Sequence, residues 1–240
     1  MIVQFPVGPS VYVPFPRTLY VVREKTKLSS RRSESTLWLI DGDTYEERNK
    51  ERVLFQEYEN KALTKARELT VRCGNGLPVL PVPRYVGRKS VRRLIEENDI
   101  VFLCVDNHAT RRLVSNRCRS LREAVLFSGG NDGIEQGQRG TFGNVQIYIR
   151  HTGRDVTNPL TRFHPEIAQP KDKSPDSASC AELALKAGPQ LLFTNMAVAS
   201  AMLGSFYAWL GGELGYEEIY LDILTGKMIP VTRAVRPPCA

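Results

Sequence analysis

The sequence predicts an α/β fold: a Rossmann-like, mostly parallel sheet flanked by helices, with an antiparallel extension at its C-terminal end. Three observations predict it. From residue 36 onward, short apolar runs alternate with helical stretches, the order that builds βαβ units. Two of those runs, LWLID and FLCVD, close on an acid, and α/β sheets hold ligands beyond the carboxyl ends of their strands. Near the end, YLDILTGKMIPVT turns on Thr225-Gly226, as an antiparallel hairpin does.

The first 35 residues stand apart. In MIVQFPVGPSVYVPFP the apolar residues alternate, but Pro6, Pro9, Pro14 and Pro16 oppose a regular central strand or a helix. TLYVV reads as a strand or the end of a helix, and EKTKLSSRRSES as a loop by composition. TLWLID is a buried strand. Residues 50–70, rich in Glu, Lys, Leu and Ala, read as one helix or two short ones. PVLPVPRYV is extended, and KSVRRLIEEN is a short amphipathic helix. DIVFLCV is the strongest strand of the chain, residues 109–124 are helical, and VLFS is a further strand. The glycine-rich GGNDGIEQGQRGTFG reads as a loop over the sheet top, followed by the alternating strand NVQIYIR. Residues 152–179 are polar, proline-rich and without periodicity, and loops of that length are usually functional or mobile. PQLLFTNMAVASAMLGSFYAWLGG is a helix with apolar residues on most faces, hence buried or part of a subunit interface. The predicted division is residues 1–35, an atypical segment, and residues 36–240, one α/β domain with a long loop at about 151–180.

Composition excludes several classes. With 240 residues, 42% hydrophobic and 25% charged, the chain is long enough for a substantial core and ordinary for a soluble protein. The net charge of +7 is spread out, densest between Arg17 and Arg32; it reads as a solvated basic face or as attraction for an anionic partner. Aromatic and basic residues do not interleave, so nucleic acid is not the expected partner. Cys73, Cys104, Cys118, Cys180 and Cys239 form no CxxC pair, and His108, His151 and His164 are dispersed, which disfavours a zinc site or a disulfide scaffold. No membrane span or leader is evident. A cytoplasmic, reducing setting is expected.

Asp41 and Asp43 end the first strong strand, with Asn49 and Arg52 close behind, and Asp106 and Asn107 end the second. An acid at such a position accepts ribose hydroxyls, and one beside phosphates holds Mg²⁺ through oxygen. An amide, an arginine and a lysine complete a triphosphate site. Taken alone, acids at a strand end are more often helix N-caps.

The combination D-G-D-T-Y-E-E-R-N-K-E-R, then N-K-A, then V-D-N-H-A-T-R-R-L-V-S-N resembles the ThiF/MoeB-like superfamily of ubiquitin-activating-type adenylyltransferases. Motif-level likeness covers residues 36–130. It continues more loosely to about Leu210, where S-C-A…P-Q…T-N…A is similar to bacterial members, including those of PRTRC-type gene clusters. The resemblance implies ATP and Mg²⁺ as cofactors. It gives Asp41 the ribose, Asn49 and Arg52 the phosphates, and Lys61, with Lys65 as rival, the phosphate lysine. Asp106 would hold Mg²⁺ and Asn107 would support the adenylate pocket; Arg111 and Asn116 read as residues that orient the loop after Asp106 or as plain surface residues. It implies adenylation of the C-terminal glycine carboxylate of a ubiquitin-like or sulfur-carrier protein by a homodimer, with Arg52 and Asp106 catalytic. Cys180, in SASCAEL before a helix, is the candidate for a thioester step. Cys104 reads as an inert core thiol, and His108 as a solvent-exposed residue at a helix start.

Two positions depart from the family pattern. Where a G-x-G-x-x-G loop belongs, the chain reads VGPSVYVPF, and Val53 replaces a glutamine. The alternative expectation is therefore an inactive relative, kept as a binding module or dimer partner after losing nucleotide binding. A Rossmann oxidoreductase is disfavoured by the same missing glycines, and it leaves Asn49, Arg52 and Asp106 without a role.

Overall fold

The computed structural model describes residues 3–5, 8–11, 19–26, 33–47, 58–73, 77–134, 137, 139–173 and 190–233. Asn49, Arg52, Val53, Cys180 and Cys239 lie outside them, so the roles expected of Asn49, Arg52 and Cys180 are not placed.

Two short strands, β1 (Val3–Phe5) and β2 (Gly8–Val11), pair antiparallel with each other. Gly8, the one glycine left of the expected loop, opens a strand. The main chain continues through β3 (Leu19–Thr26), β4 (Ser33–Ile40), α1 (Lys61–Cys73), β5 (Val79–Val82), α2 (Val91–Leu94) and β6 (Ile100–Leu103). It goes on through α3 (His108–Arg119), β7 (Ala124–Asn131), β8 (Phe142–His151), β9 (Arg154–Asp155) and α4 (Pro165–Ala168). A long helix α5 (Leu192–Leu210) and the hairpin β10 (Glu218–Asp222) and β11 (Lys227–Val231) follow.

Among the described residues these strands form a nine-stranded mixed sheet in the order β11-β10-β8-β7-β6-β3-β4-β5, with β9 on β8. The pairs β4–β5 and β6–β7 are parallel, and β8, β10 and β11 supply the expected antiparallel extension. The α/β class is therefore as the sequence predicts. Between the two parallel pairs runs β3, antiparallel to both β4 and β6. Leu19 is paired with Ile40 on one side and Leu103 on the other. So β3 starts where its neighbours end, and a hairpin takes the place of a first β-loop-α unit.

The sheet is covered on both faces, which is why its strands read as near-continuous apolar runs. Tyr20, Leu39, Phe102, Phe127 and Val145 pack under α1 and α5, and Phe206 meets Phe102 edge to face at 5.1 Å. Leu19, Val21, Val101, Leu103 and Leu126 pack under α2, α3 and α4 on the other side. Glycine serves packing at Gly129 and Gly143, where a Cβ would lie 2.3 Å from Met202 Sδ and 2.4 Å from Val198 Cγ2. The strands can thus lie close under α5.

Several elements differ from the sequence reading. The loop expected after residue 128 begins later, because Gly129, Gly130 and Asn131 pair with Val145, Asn144 and Gly143. TLYVV resolves as a strand, and the basic run beyond it begins inside the same strand. Within the long polar stretch β9 and α4 form, and Thr157, Asn158 and His164 tie it to the sheet.

Candidate functional site

The strand ends meet on one edge. Because Leu19 is level with both Ile40 and Leu103, Asp41 and Cys104 leave β4 and β6 at the same height, with one strand between them. Two strand spacings separate them, about 10 Å.

At the first end, Asp41 is 4% exposed. Its Oδ1 accepts the Asp43 amide at 2.9 Å, and its Oδ2 lies 3.6 Å from Lys65 Nζ. Asp43 is bound by Lys61 Nζ at 2.8 Å and by the Tyr85 hydroxyl at 2.7 Å. Neither acid caps a described helix. That role falls to Asn60, whose Oδ1 accepts the amides of Ala62 and Leu63 at 2.9 and 3.3 Å. The Asn60 side-chain NH₂ donates to the carbonyls of Asp41 and Asp43 at 3.1 and 3.0 Å, stitching the strand end to α1. The two lysines follow from helix geometry. Lys65 lies with Ala62, Ala66 and Leu69 on the buried stripe, at the i, i+3, i+4, i+7 spacing of a core face. Burial pushes its ammonium below the ordinary lysine value, opposed by the attraction of Asp41. Lys61 and Lys65, the rivals for one phosphate contact, each hold a different acid.

At the second end, Asp106 is exposed and Asn107 is the N-cap of α3, its Oδ1 accepting the Thr110 amide at 2.8 Å. The remaining first-turn amides are also taken: His108 and Ala109 donate to the two oxygens of Asp172 at 2.7 and 2.9 Å. A carboxylate from the long polar stretch thus occupies the position where an anion is favoured by the helix dipole. His108 is half-buried, and burial together with the Arg111 charge lowers its pKa, so it is neutral near pH 7.

Arg111 does more than orient a surface loop. Buried under the ends of β6 and β7, its guanidinium donates to Ser128 Oγ at 2.7 Å and to the carbonyls of Val105 and Gly129 at 2.6 Å. Burial lowers its pKa, against the pull of Cys104, Asp106 and Asp172. A Cβ at Gly130 would sit 3.0 Å from this guanidinium. Cys104, just past the end of β6, is held between Arg111 and Lys65, yet burial dominates and its pKa is pushed up to about 12.

The structure therefore gathers Asp41, Lys61, Asp106 and Asn107 along one edge. Sequence reasoning missed Asn60, Tyr85 and Asp172. Of these, Asn60 carries a local signal, an N-cap residue opening a helical run. Asp172 carries none, since its partner is more than 60 residues away.

Residues 35–228 match the ThiF family. No curated protein matches. Solved structures of E. coli MccB share the fold. MccB with AMPCPP and MccA has a TM-score of 0.59 and 15% identity, covering 85% of this chain and 58% of that one. MccB with ATP gives the same four values. MccB alone has a TM-score of 0.56 and 15% identity over 85% and 57%. The chain spans less than two thirds of MccB's length. At this identity the likeness is one of fold. The family match covers most of the chain and includes both strand ends with their acids: the protein belongs to the ThiF family.

Proposed function

We propose that the protein is an ATP-dependent adenylyltransferase that activates the C-terminal carboxylate of a polypeptide, a ubiquitin-like or sulfur-carrier protein with a glycine tail. One observation carries the reading: the ends of β4 and β6 stand level on one sheet edge, Asp41 directly after the first beside buried Lys65 and Asp106 three residues after the second within the field of buried Arg111. Family membership agrees with it, and so does the crystallisation of MccB with ATP and with AMPCPP and MccA.

The donor set suits the ligands. Asp41 offers acceptor oxygens for ribose hydroxyls, and Lys61 is a point charge for phosphate once it turns from Asp43. Asp106 is an exposed hard oxygen donor, fitting Mg²⁺, which uses one or two carboxylates together with substrate phosphates. Bound there, the ion would neutralise phosphate charge. In the reaction a carboxylate oxygen attacks the α-phosphorus, a new O–P bond forms, and pyrophosphate leaves with the electrons of the broken bond. Positioning and fixed charge supply the catalysis. Arg52 and Asn49 complete the phosphate contacts in this reading, and in a thioester step the Cys180 thiolate would attack the acyl carbon, the C–S bond forming as the C–O bond to AMP breaks and AMP leaves.

A second reading rests on β3. In an α/β nucleotide fold a parallel first strand delivers the glycine loop to this edge, whereas β3 here runs the opposite way. Asp172 already fills the start of α3. Both favour a ThiF-fold binding or dimerisation partner without nucleotide. ATP–pyrophosphate exchange with carrier proteins ending in Gly-Gly, alongside calorimetry with ATP and Mg²⁺, decides between them. Exchange lost in Asp106→Ala supports the enzyme; no ATP binding and no exchange with any carrier rejects it.

Assembly as a homodimer is part of the proposal. Helix α5 carries no charged residue and exposes Phe193, Met196, Tyr207 and Leu210. An uncharged apolar stripe meets a second copy of itself without like-charge repulsion.

A further inference from the structure

We infer that Asn131 and Asn195 form an amide clamp, through buried Nδ2 atoms, for the main chain of an extended polypeptide at the carboxyl edge of the sheet that also carries Asp106. The inference deepens the adenylation reading and rests on it for the substrate's chemistry, by naming residues that hold the tail whose carboxylate would react.

Helix α5 buries three polar side chains against the sheet, and an amide oxygen is buried just before it; they are treated differently. Thr194 Oγ1 donates to the Gly140 carbonyl at 2.7 Å, and Ser205 Oγ to the Ala201 carbonyl at 2.9 Å. Asn195, 4% exposed on the same helix, buries its Nδ2 without a hydrogen-bond partner in the protein. Gln190, just before the helix, buries its Oε1 equally unpartnered. On the sheet side the Nδ2 of Asn131 is a third such atom.

Their placement follows from register. Phe127, Gly129 and Asn131 share the α5 face of β7 by strand alternation. Phe127 packs on Phe206, and a Cβ at Gly129 would meet Met202 and Val198. Gly143, the partner of Asn131, abuts Val198. Moving along β7 toward its carboxyl end therefore moves toward the start of α5, and Asn195 lies one turn before Val198. Asn131 at the end of β7 and Asn195 in the first turn of α5 therefore lie at the same end of the helix–sheet contact, where the N-cap Leu191 supplies no side-chain cap. Leu103, the last residue of β6, is paired with Ser128, so the chain leaves β6 toward Asp106 at the level where β7 continues toward Asn131.

Buried polar groups are normally satisfied, and each exception calls for a cause. Donors and an acceptor together identify the ligand. A phosphate or a carboxylate offers only acceptors and would leave Gln190 Oε1 unmatched. A polypeptide main chain offers carbonyls to Asn131 and Asn195 and an N–H to Gln190.

The test uses the full chain and a library of N-terminally labelled hexapeptides with free C-termini, screened without ATP. Asn131→Leu and Asn195→Leu should melt at or above the wild-type temperature, because each removes an unsatisfied buried amide. Peptides retained by the wild type should bind each variant about tenfold more weakly. No retained peptide, or unchanged affinity in both variants, overturns the inference. Should a variant fail to fold, a reduced-amide scan of a retained peptide against wild-type protein serves instead. Loss of about tenfold at one or two positions supports the clamp, and a flat scan rejects it. Retained peptides that bind through the clamp of a protein that binds no ATP and shows no exchange with any Gly-Gly carrier sink the adenylation reading alone. Exchange with peptide dependence unaltered in the leucine variants sinks the clamp alone.

Discussion

Lys65 occupies a position on α1 where the helical pattern asks for an apolar residue, and Asp41 is what makes its burial tolerable. A buried pair is costly to break from one side, because the remaining charge stays desolvated. Lys65→Met should therefore destabilise the fold by about 3 kcal/mol in urea titration, and Lys65→Met with Asp41→Asn by clearly less. Equal losses in the single and double variants would show that the pair is uncoupled. Cysteine reactivity belongs at this scale too. Burial holds Cys104 and Cys118 at about 12, so neither forms thiolate near neutral pH. Peptide mapping after brief iodoacetamide treatment at pH 7.5 should find both unmodified in folded protein and both labelled in guanidinium. Rapid labelling of Cys104 in the native state would contradict its placement.

At the scale of elements, the polar stretch that follows β9 is fastened at residues 157–164 rather than loose there. His164 Nε2 lies 2.7 Å from Glu218 Oε1 on β10, and Arg233 pairs with the other oxygen of Glu218 while stacking on Phe163 at 4.3 Å. For Glu218, burial favours the neutral acid, but hydrogen bonds from His164 and Arg233 prevail and hold it at about 2. For His164, burial alone would lower the pKa, and the bonds to Glu218 and Glu166 reverse that into a net rise. The His164 contribution is full below its unfolded value of about 6.5 and is lost as pH rises through the folded one. The Glu218 contribution is present above its unfolded value of about 4.3 and is lost as pH falls toward 2. The latch is strongest between these limits. Melting temperature should decline from pH 6 to pH 9, and His164→Gln should flatten that limb; an unchanged slope would remove His164 from the latch. The α5–sheet contact is equally specific. Gly143→Ala would press on Val198 and on the Gly130 carbonyl, 3.2 Å away, at a cost of about 1–3 kcal/mol in denaturant titration.

Over the whole molecule, the exposed apolar stripe of α5 predicts a dimer in solution. Sedimentation velocity should show a single species near twice the chain mass of 27.0 kDa, shifted toward monomer by Met196→Glu. A wild-type monomer at micromolar concentration would reject the interface. Much of the architecture was legible in the chain. Apolar runs such as DIVFLCV and LWLI, the Asn60 cap and the Thr225-Gly226 turn are local signals, so class, element order and the acids at two strand ends could be read directly. Asp41, Lys61, Asp106 and Asn107 could be singled out in the chain because motif spacing marks them. Asp172, Asn131 and Asn195 were not, since an unmet amide or a borrowed helix cap exists only once distant segments meet. The sequence by itself determined the α/β class and the central strands and helices such as β4, β6 and α5, because periodicity acts over a few residues, but not the end of β7 or the elements β9 and α4. Only the tertiary structure decided the direction of β3, the pairing of Lys61 and Lys65 with different acids, and the closure of α3 by Asp172. A strand's alternation reads the same in either direction, and its polarity is set by the pairing of β3 with β4 and β6 across the sheet.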